Sequence, residues 1–414
     1  MLAAKPKLLI IGSVWPEPNS SAAGSRMMQL IEVFCQKNYQ ITFASATADS
    51  EFAVKLSDFG VKKAKIKLNH HSFDDFVEDL NPRVVLFDRF MTEEQYGWRV
   101  SESCPEALKI LDTEDLHCLR AARQKAWKTN AVFKTEDLLN EEVAKREIAS
   151  ILRCDLSLII STYEMELLRS TFKIDDSLLL YLPFMLDEVS EEEIKKLPKY
   201  EERAHFVSIG NFLHEPNWQS VLHIKTNIWP HIRERLPKAE VHIYGAYPSN
   251  KVFQLNSVKD GFLVKGRAEN VAETMQKARV CLAPLLFGAG LKGKLIDAMR
   301  NGTPNATTSI GAEAMHQNLP WSGKIKNTPL EFADAAVQLY QSEKDWLIAQ
   351  QNGFEIINQL YAKSVFTQKF NHKIAQLLVN LASHRNKNFY GAMLQHHTLS
   401  STKFMAKWIE AKNN

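Results

Sequence analysis

Residues 281–304 read CLAPLLFGAGLKGKLIDAMRNGTP. An apolar strand ends at Pro284, a glycine turn follows at Gly288 and Gly290, and a helix begins. That helix carries Leu291, Leu295, Ala298 and Met299 on one face and stops at Gly302 before Pro304. Strand, turn and helix in this order form the unit of a parallel α/β sheet, whose ligands lie beyond the carboxyl ends of the strands. Lys292 and Lys294 fall in the first turn, where each cation opposes the helix dipole by about 0.3–1 kcal/mol. An anion seated between them and the free amides reverses that sign. Asp297 lies one turn on, off the apolar stripe, where a carboxylate could accept hydrogen bonds from a ribose diol. A plainer reading is a solvated Lys294–Asp297 pair at i,i+3, worth only about 0.2–0.5 kcal/mol.

The same alternation extends in both directions. Strands are expected at 8–12, 41–45, 64–68, 84–88, 108–112 and 156–161, with helices such as 27–36, 73–80 and 141–152 between them. Near Pro183 the pattern breaks into a charged stretch with two prolines, LPFMLDEVSEEEIKKLPKYEERA, which reads as a linker. A second series follows, with strands at 205–210, 239–245, 262–266, 279–284 and 303–309 and a long helix ending near Pro230 or Leu236. The expected organisation is residues 1–185 as a first Rossmann-like domain, 186–204 as linker, 205–385 as a second Rossmann-like domain, and 386–414 as a helical tail packing back on the first.

The chain has 414 residues, 45% hydrophobic and 24% charged, enough apolar surface for two cores. Lys and Arg number 51 against 48 Asp and Glu, so the net charge of +3 provides no field for gripping a long polyphosphate, and nucleic acid is not expected as a partner. Five scattered cysteines with no CxxC pair point to a reducing, cytoplasmic setting. No stretch reaches the ~18 apolar residues of a spanning helix, so membrane contact would be peripheral, at the inner face. Two segments bear on that contact. VKKAKIKLNHH (61–71) alternates lysines with apolar residues, as a lysine-guarded edge strand does, or a basic face toward anionic lipid. The last helix sets Phe404, Met405, Trp408 and Ile409 beside Lys403 and Lys407, a face for packing on the first domain or for lying on a membrane.

The order of IGNFLHEPNW, IWPHIRERLPKAEVHIYG, VKGRAENVAETMQKARVCLAPLLFGAGLKGKLIDAMRNGTP and TTSIGAEAM from Ile209 onward resembles the carboxyl-terminal half of group 1 (family 4) glycosyltransferases of the GT-B fold. Upstream, the loop holding Gly24, LDTEDLHCLRAAR and KREIASILRCDLSLIISTYE resemble the amino-terminal half, less distinctively. The resemblance covers most of residues 7–380 and implies two Rossmann-like domains facing across a cleft. A nucleotide-sugar donor is then held mainly by the second domain and an acceptor, whether glycan, lipid or small molecule, by the first.

Family members carry a ribose-binding glutamate where this chain has Asp297, one methylene shorter, and many carry a second, sugar-contacting glutamate where it has Ala289. A subgroup with a GAGxKxK-like loop lacks the second glutamate, and this sequence resembles it. Other members neutralise the diphosphate with an arginine and a lysine after the first strand of the second domain. Here that loop presents Asn211, His214 and Asn217, which leaves the role to Lys292 and Lys294, with Gly24, Gly290 and Leu291 completing the donor side. On the acceptor side the matching histidine is His117, with Asp115 as an acceptor ligand; a surface or capping role for that histidine stands beside this one. The resemblance implies transfer with retention, the donor being a UDP- or GDP-linked sugar, and because the chain has no Asp-x-Asp triplet to hold a divalent ion, neither metal nor other cofactor is expected. A GT-B subunit that binds nucleotide sugar without turnover and a GT-B-like sugar-nucleotide epimerase are the alternatives.

Overall fold

A computed structural model describes residues 5–413. The first sheet holds seven strands, β1 (Lys7–Ile11), β2 (Gln40–Ser45), β3 (Lys62–Lys65), β4 (Val84–Asp88), β5 (Leu108–Asp112), β6 (Leu156–Ile159) and β7 (Leu179–Tyr181), in the order β3-β2-β1-β4-β5-β6-β7. The second holds six, β8 (Ala204–Ile209), β9 (Val241–Tyr244), β10 (Phe262–Gly266), β11 (Ala278–Ala283), β12 (Asn305–Thr307) and β13 (Gly323–Ile325), in the order β10-β9-β8-β11-β12-β13. Every pairing is parallel. The architecture is GT-B: two Rossmann-like domains followed by a helical carboxyl-terminal region. Strands buried on both faces need unbroken apolar runs, and VVLFD of β4 is buried at all five positions. In each sheet the chain leaves the centre in one direction and returns to fill the other, so β1/β4 and β8/β11 are the switch points where crevices open.

Several elements depart from the sequence reading. The first helix starts at Ala22, not at 27, because the Ser21 hydroxyl caps it by accepting the Gly24 N–H at 3.0 Å. Strand β3 lies at 62–65, not 64–68, and is the edge of its sheet; Lys63 and Lys65 there share Asp49. The long helix is three segments, with a π turn at Ile224–Ile228 ahead of Pro230, which has no N–H to continue the ladder. Strands β7 and β13, three residues each, were not expected at all.

The two crossings between domains run side by side. Leu186 N–H donates to the Tyr361 carbonyl and Lys363 N–H to that of Leu186, both at 2.8 Å. The return to the first domain is therefore complete by Lys363, earlier than the boundary at 385. Phe366, Phe370, Ile374, Leu377 and Leu381 of helix Lys363–Lys387 bury themselves in one core cluster with Leu8, Ile10 and Leu108. Helix Phe389–Asn413 then lies across helices Phe90–Ser103 and Glu142–Arg153 of the first domain. Among the described residues no helix is long and apolar enough to cross a membrane.

Candidate functional site

A cleft of about 610 Å³ separates the carboxyl ends of the two sheets. The loops after β1, β4 and β5 line one wall, and those after β8 and β11 the other. Asp115, His117, Asn211, Asn217, Gly290, Leu291, Lys292, Lys294 and Asp297 all face this cleft. Gly24 does not. A Cβ there would lie 2.4 Å from the Glu17 carbonyl, so this glycine serves the close packing of its own loop rather than a ligand.

The glycine turn after β11 owes its shape to both domains. Gly290 has φ +63°, and a Cβ on it would lie 2.8 Å from Asp115 Cβ, so conformation and space both demand glycine. Its N–H donates to Glu164 Oε1 at 2.9 Å, and the same oxygen accepts the Leu116 N–H at 2.9 Å. Arg123 forks onto Glu313 at 2.8 and 2.7 Å and also reaches the Gly288 carbonyl at 2.9 Å. Ala289 is buried in the first domain's core cluster. A glutamate at this position would place a charge in that apolar contact, which is a physical reason for the small residue.

Lys292 stands at the N-cap position of helix Gly293–Arg300 without capping it, and its ammonium folds back to donate to the carbonyls of Ala289 at 3.1 Å and Gly290 at 2.6 Å. It buttresses the turn. Lys294 donates to Asn217 Oδ1 at 2.8 Å, and Asn217 Nδ2 in turn donates to the Asn211 carbonyl at 2.9 Å. The loop after β8 thus aims Lys294, and the solvated Lys294–Asp297 pair does not form. Burial lowers both lysines to about 8. It raises Asp297, which faces the cleft, to about 7, against the nearby Arg300.

Across the cleft, His117 is the first residue of helix His117–Lys128. Glu147 holds that end, accepting the His117 N–H at 3.0 Å and the Cys118 N–H at 2.9 Å. His117 Nε2 stands 3.4 Å from Asp115 Oδ1, and Arg120 grips the other oxygen of Asp115. Burial, reinforced by Arg120 and Arg89 against the pull of Asp115, lowers His117 to about 4, so the imidazole is neutral at pH 7. Although burial alone would raise it, Arg120 and His117 hold the Asp115 carboxyl well below its usual range. His214, facing the same space from the other wall, is also lowered to about 4, mainly by burial. Asp112, at the end of β5, is fully buried, and both of its carboxylate oxygens accept from Arg26 Nε, at 2.9 and 3.1 Å.

The residues that sequence reasoning missed are Arg89, Arg120, Arg123, Glu147, Glu164 and Glu313. Arg89, in a left-handed conformation at φ +69°, packs its guanidinium on Asp88 at 2.9 Å and lines the cleft. At the far rim the Tyr247 hydroxyl donates to Glu17 at 2.7 Å, a further tie between the domains.

Residues 203–342 match the family model described as Glycosyl transferases group 1. A search of curated proteins finds no match. Among solved structures, sucrose-phosphate synthase from Thermosynechococcus elongatus aligns over 91% of this chain and all of its own, at 14% identity and a TM-score of 0.66. HepE from Anabaena, crystallised with UDP and glucose, aligns over 90% and 100% at 10% identity and a TM-score of 0.64. WaaG, a glycosyltransferase involved in lipopolysaccharide biosynthesis, aligns over 87% and 98% at 9% identity and a TM-score of 0.61. The second domain of this chain thus carries the group 1 glycosyltransferase signature, and the whole chain has the fold of the GT-B glycosyltransferases.

Proposed function

We propose that the protein transfers a sugar from a nucleoside diphosphate, UDP or GDP, to a hydroxyl of a glycan, lipid or small-molecule acceptor, with retention at the anomeric carbon and without a metal. One observation carries this reading. The amino terminus of helix Gly293–Arg300 opens on the cleft with Lys294 at its rim and no acidic residue in its first turn, an arrangement that favours a bound anion. Asp297 is the acceptor for the donor ribose, and Lys294 with the first helix amides faces the diphosphate.

As the anomeric carbon–oxygen bond lengthens, negative charge builds on the leaving diphosphate, and fixed donors there stabilise the transition state more than the ground state. The acceptor oxygen bonds to that carbon from the same face, and its proton passes to the departing phosphate oxygen. His117, being neutral, hydrogen-bonds the transferred sugar rather than acting as a cation. Asp115 is a ligand for the acceptor.

The test is release of nucleoside diphosphate from UDP- and GDP-sugars by the purified protein, with and without a panel of glycoside acceptors. Turnover that Lys294→Ala and Asp297→Ala abolish is the expected result. Wild-type rates in both variants sink the site, and tight donor binding in calorimetry with no turnover for any acceptor would favour the binding-subunit alternative.

A further inference from the structure

Helix Phe389–Asn413 meets the protein on one side and carries exposed apolar residues on the other. Its inner side is tied down along its length. Gln395 donates to the Arg153 carbonyl at 2.8 Å, Lys403 pairs with Glu102 at 2.5 Å, Ala406 is buried, and Glu410 accepts from both the N–H and the ring of His71 at 3.0 and 2.6 Å. Phe389, Tyr390, Met393, Phe404, Met405 and Trp408 point the other way. At 3.6 residues per turn these six fall within an arc of roughly 160°. Phe404 is 67% exposed and Trp408 60%. Exposed aromatic residues gathered on one face mark an interaction surface.

The charge on that face selects its occupant. Lys407 and Lys412 fall in the same arc, Lys412 resting over the Trp408 ring at 5.2 Å, while the helix's one acidic residue, Glu410, is held inward by His71. The loop that Glu410 meets continues the pattern, for Lys67 and Leu68, just before His70 and His71, are also exposed. A two-fold contact between copies would set lysine against lysine with no carboxylate on the face to answer them. Tyr and Trp with lysines match the boundary of a bilayer, where rings sit at the headgroup level and ammonium groups meet anionic lipid.

We infer that this face is a docking surface for an anionic membrane, laying the protein on the bilayer through its last helix without crossing it. The inference is independent of the donor site. The full-length protein is sedimented with vesicles of phosphatidylcholine, alone or with roughly a third phosphatidylglycerol, at low and high salt. Binding to the mixed vesicles at least about tenfold stronger than to the neutral ones, weakened by salt, is the expected result, because each lysine near an anionic surface strengthens attachment several-fold. Phe404→Ser with Trp408→Ser, and separately Lys407→Glu with Lys412→Glu, are each expected to weaken it about tenfold or more, while vesicle-free donor hydrolysis stays at the wild-type rate. Failure to sediment with either vesicle, or variants that sediment like wild type, would overturn the proposal. So would a self-association that Trp408→Ser abolishes in protein that never binds lipid.

Discussion

Helix His117–Lys128 of the first domain and helix Gly293–Arg300 of the second both begin at the cleft, and they treat the same physical problem in opposite ways. The first amides of any helix lack partners within it and carry partial positive charge. At helix His117–Lys128 the protein answers with its own anions: Glu164 accepts the Leu116 N–H, and Glu147 those of His117 and Cys118. Burial raises both carboxyls to about 7, against the pull of those same amides. At helix Gly293–Arg300 there is no such carboxylate, and Lys292 and Lys294 stand at the positive end instead. The closed end fixes His117 in place. The open end stores unfavourable charge, which the proposed diphosphate would relieve.

The most damaging way to break that contrast is to remove the cation at the open end. Lys294→Ala is expected to lower kcat/KM for the donor by about 100- to 1000-fold, the scale of deleting one fixed donor to a developing charge. Its thermal midpoint should stay level or rise, because a desolvated cation leaves a like-signed helix end. A midpoint that falls while activity persists would show that Lys294 is structural, no different in kind from Glu147. The closed end predicts the reverse pattern. Glu147→Ala strips two amides of their acceptor and should cost about 2–3 kcal/mol of stability, measured by urea unfolding. The surviving folded fraction should bind donor as wild type does, since Glu147 faces no donor.

How much of this was legible in the chain follows from distance along it. Lys294, Asp297 and Gly290 lie within one strand-turn-helix unit, so periodicity and the rarity of lysine in a first turn were enough to single them out. Glu164 is 48 residues from Leu116 and 126 from Gly290, and nothing local announces either contact. Its spacing from Ser161, S-x-x-E, is that of an ordinary capping box, and Ser161 does accept the Glu164 N–H at 3.1 Å. The carboxylate, however, turns away to serve the other helix and the glycine turn. Lys292 shows the converse limit. Its place at the helix entry was readable, although it stands at the N-cap and not in the first turn, and its rotamer, folded onto the carbonyls of Ala289 and Gly290, follows from the tertiary path of the turn. The fold was legible because buried parallel strands need long apolar runs. The edge strands β7 and β13, at three residues, are too short to show a period.

A smaller effect sharpens the contrast by pH. In the proposed site Asp297 must be ionised to accept from a ribose diol, and Asp297 is raised to about 7, so kcat/KM should fall as pH drops below that value. The proposed contact of Lys294 with a diphosphate needs its charge, and Lys294 is lowered to about 8, so the rate should fall again as pH rises above it. The expected profile is a narrow bell with limbs approaching tenfold per pH unit. His117 stays neutral throughout and contributes no limb. Asp297→Asn should abolish the acid limb and leave the alkaline one; an unmoved acid limb would detach Asp297 from the donor.

The smallest effect tests the one oxygen that joins the two ends. Glu164 Oε1 accepts from Leu116 and Gly290, while Oε2 is buried with no hydrogen-bond partner. Glutamine can therefore keep both accepted bonds through its carbonyl oxygen and place its amide where Oε2 was, exchanging the negative charge for buried N–H groups with no acceptor there. Charge-assisted bonds are roughly twice as strong as neutral ones, so Glu164→Gln should loosen the turn slightly, raising the donor KM by about two- to fivefold with kcat nearly unchanged. Glu164→Ala frees both amides and should lower kcat as well, because Leu116, the residue before His117, and the glycine turn then lose their common anchor. If the glutamine variant falls as far as the alanine variant, the negative charge itself is what matters. The closed end would then be a charged part of the transfer site, and the division between a structural helix end and a ligand-binding one would fail at this residue.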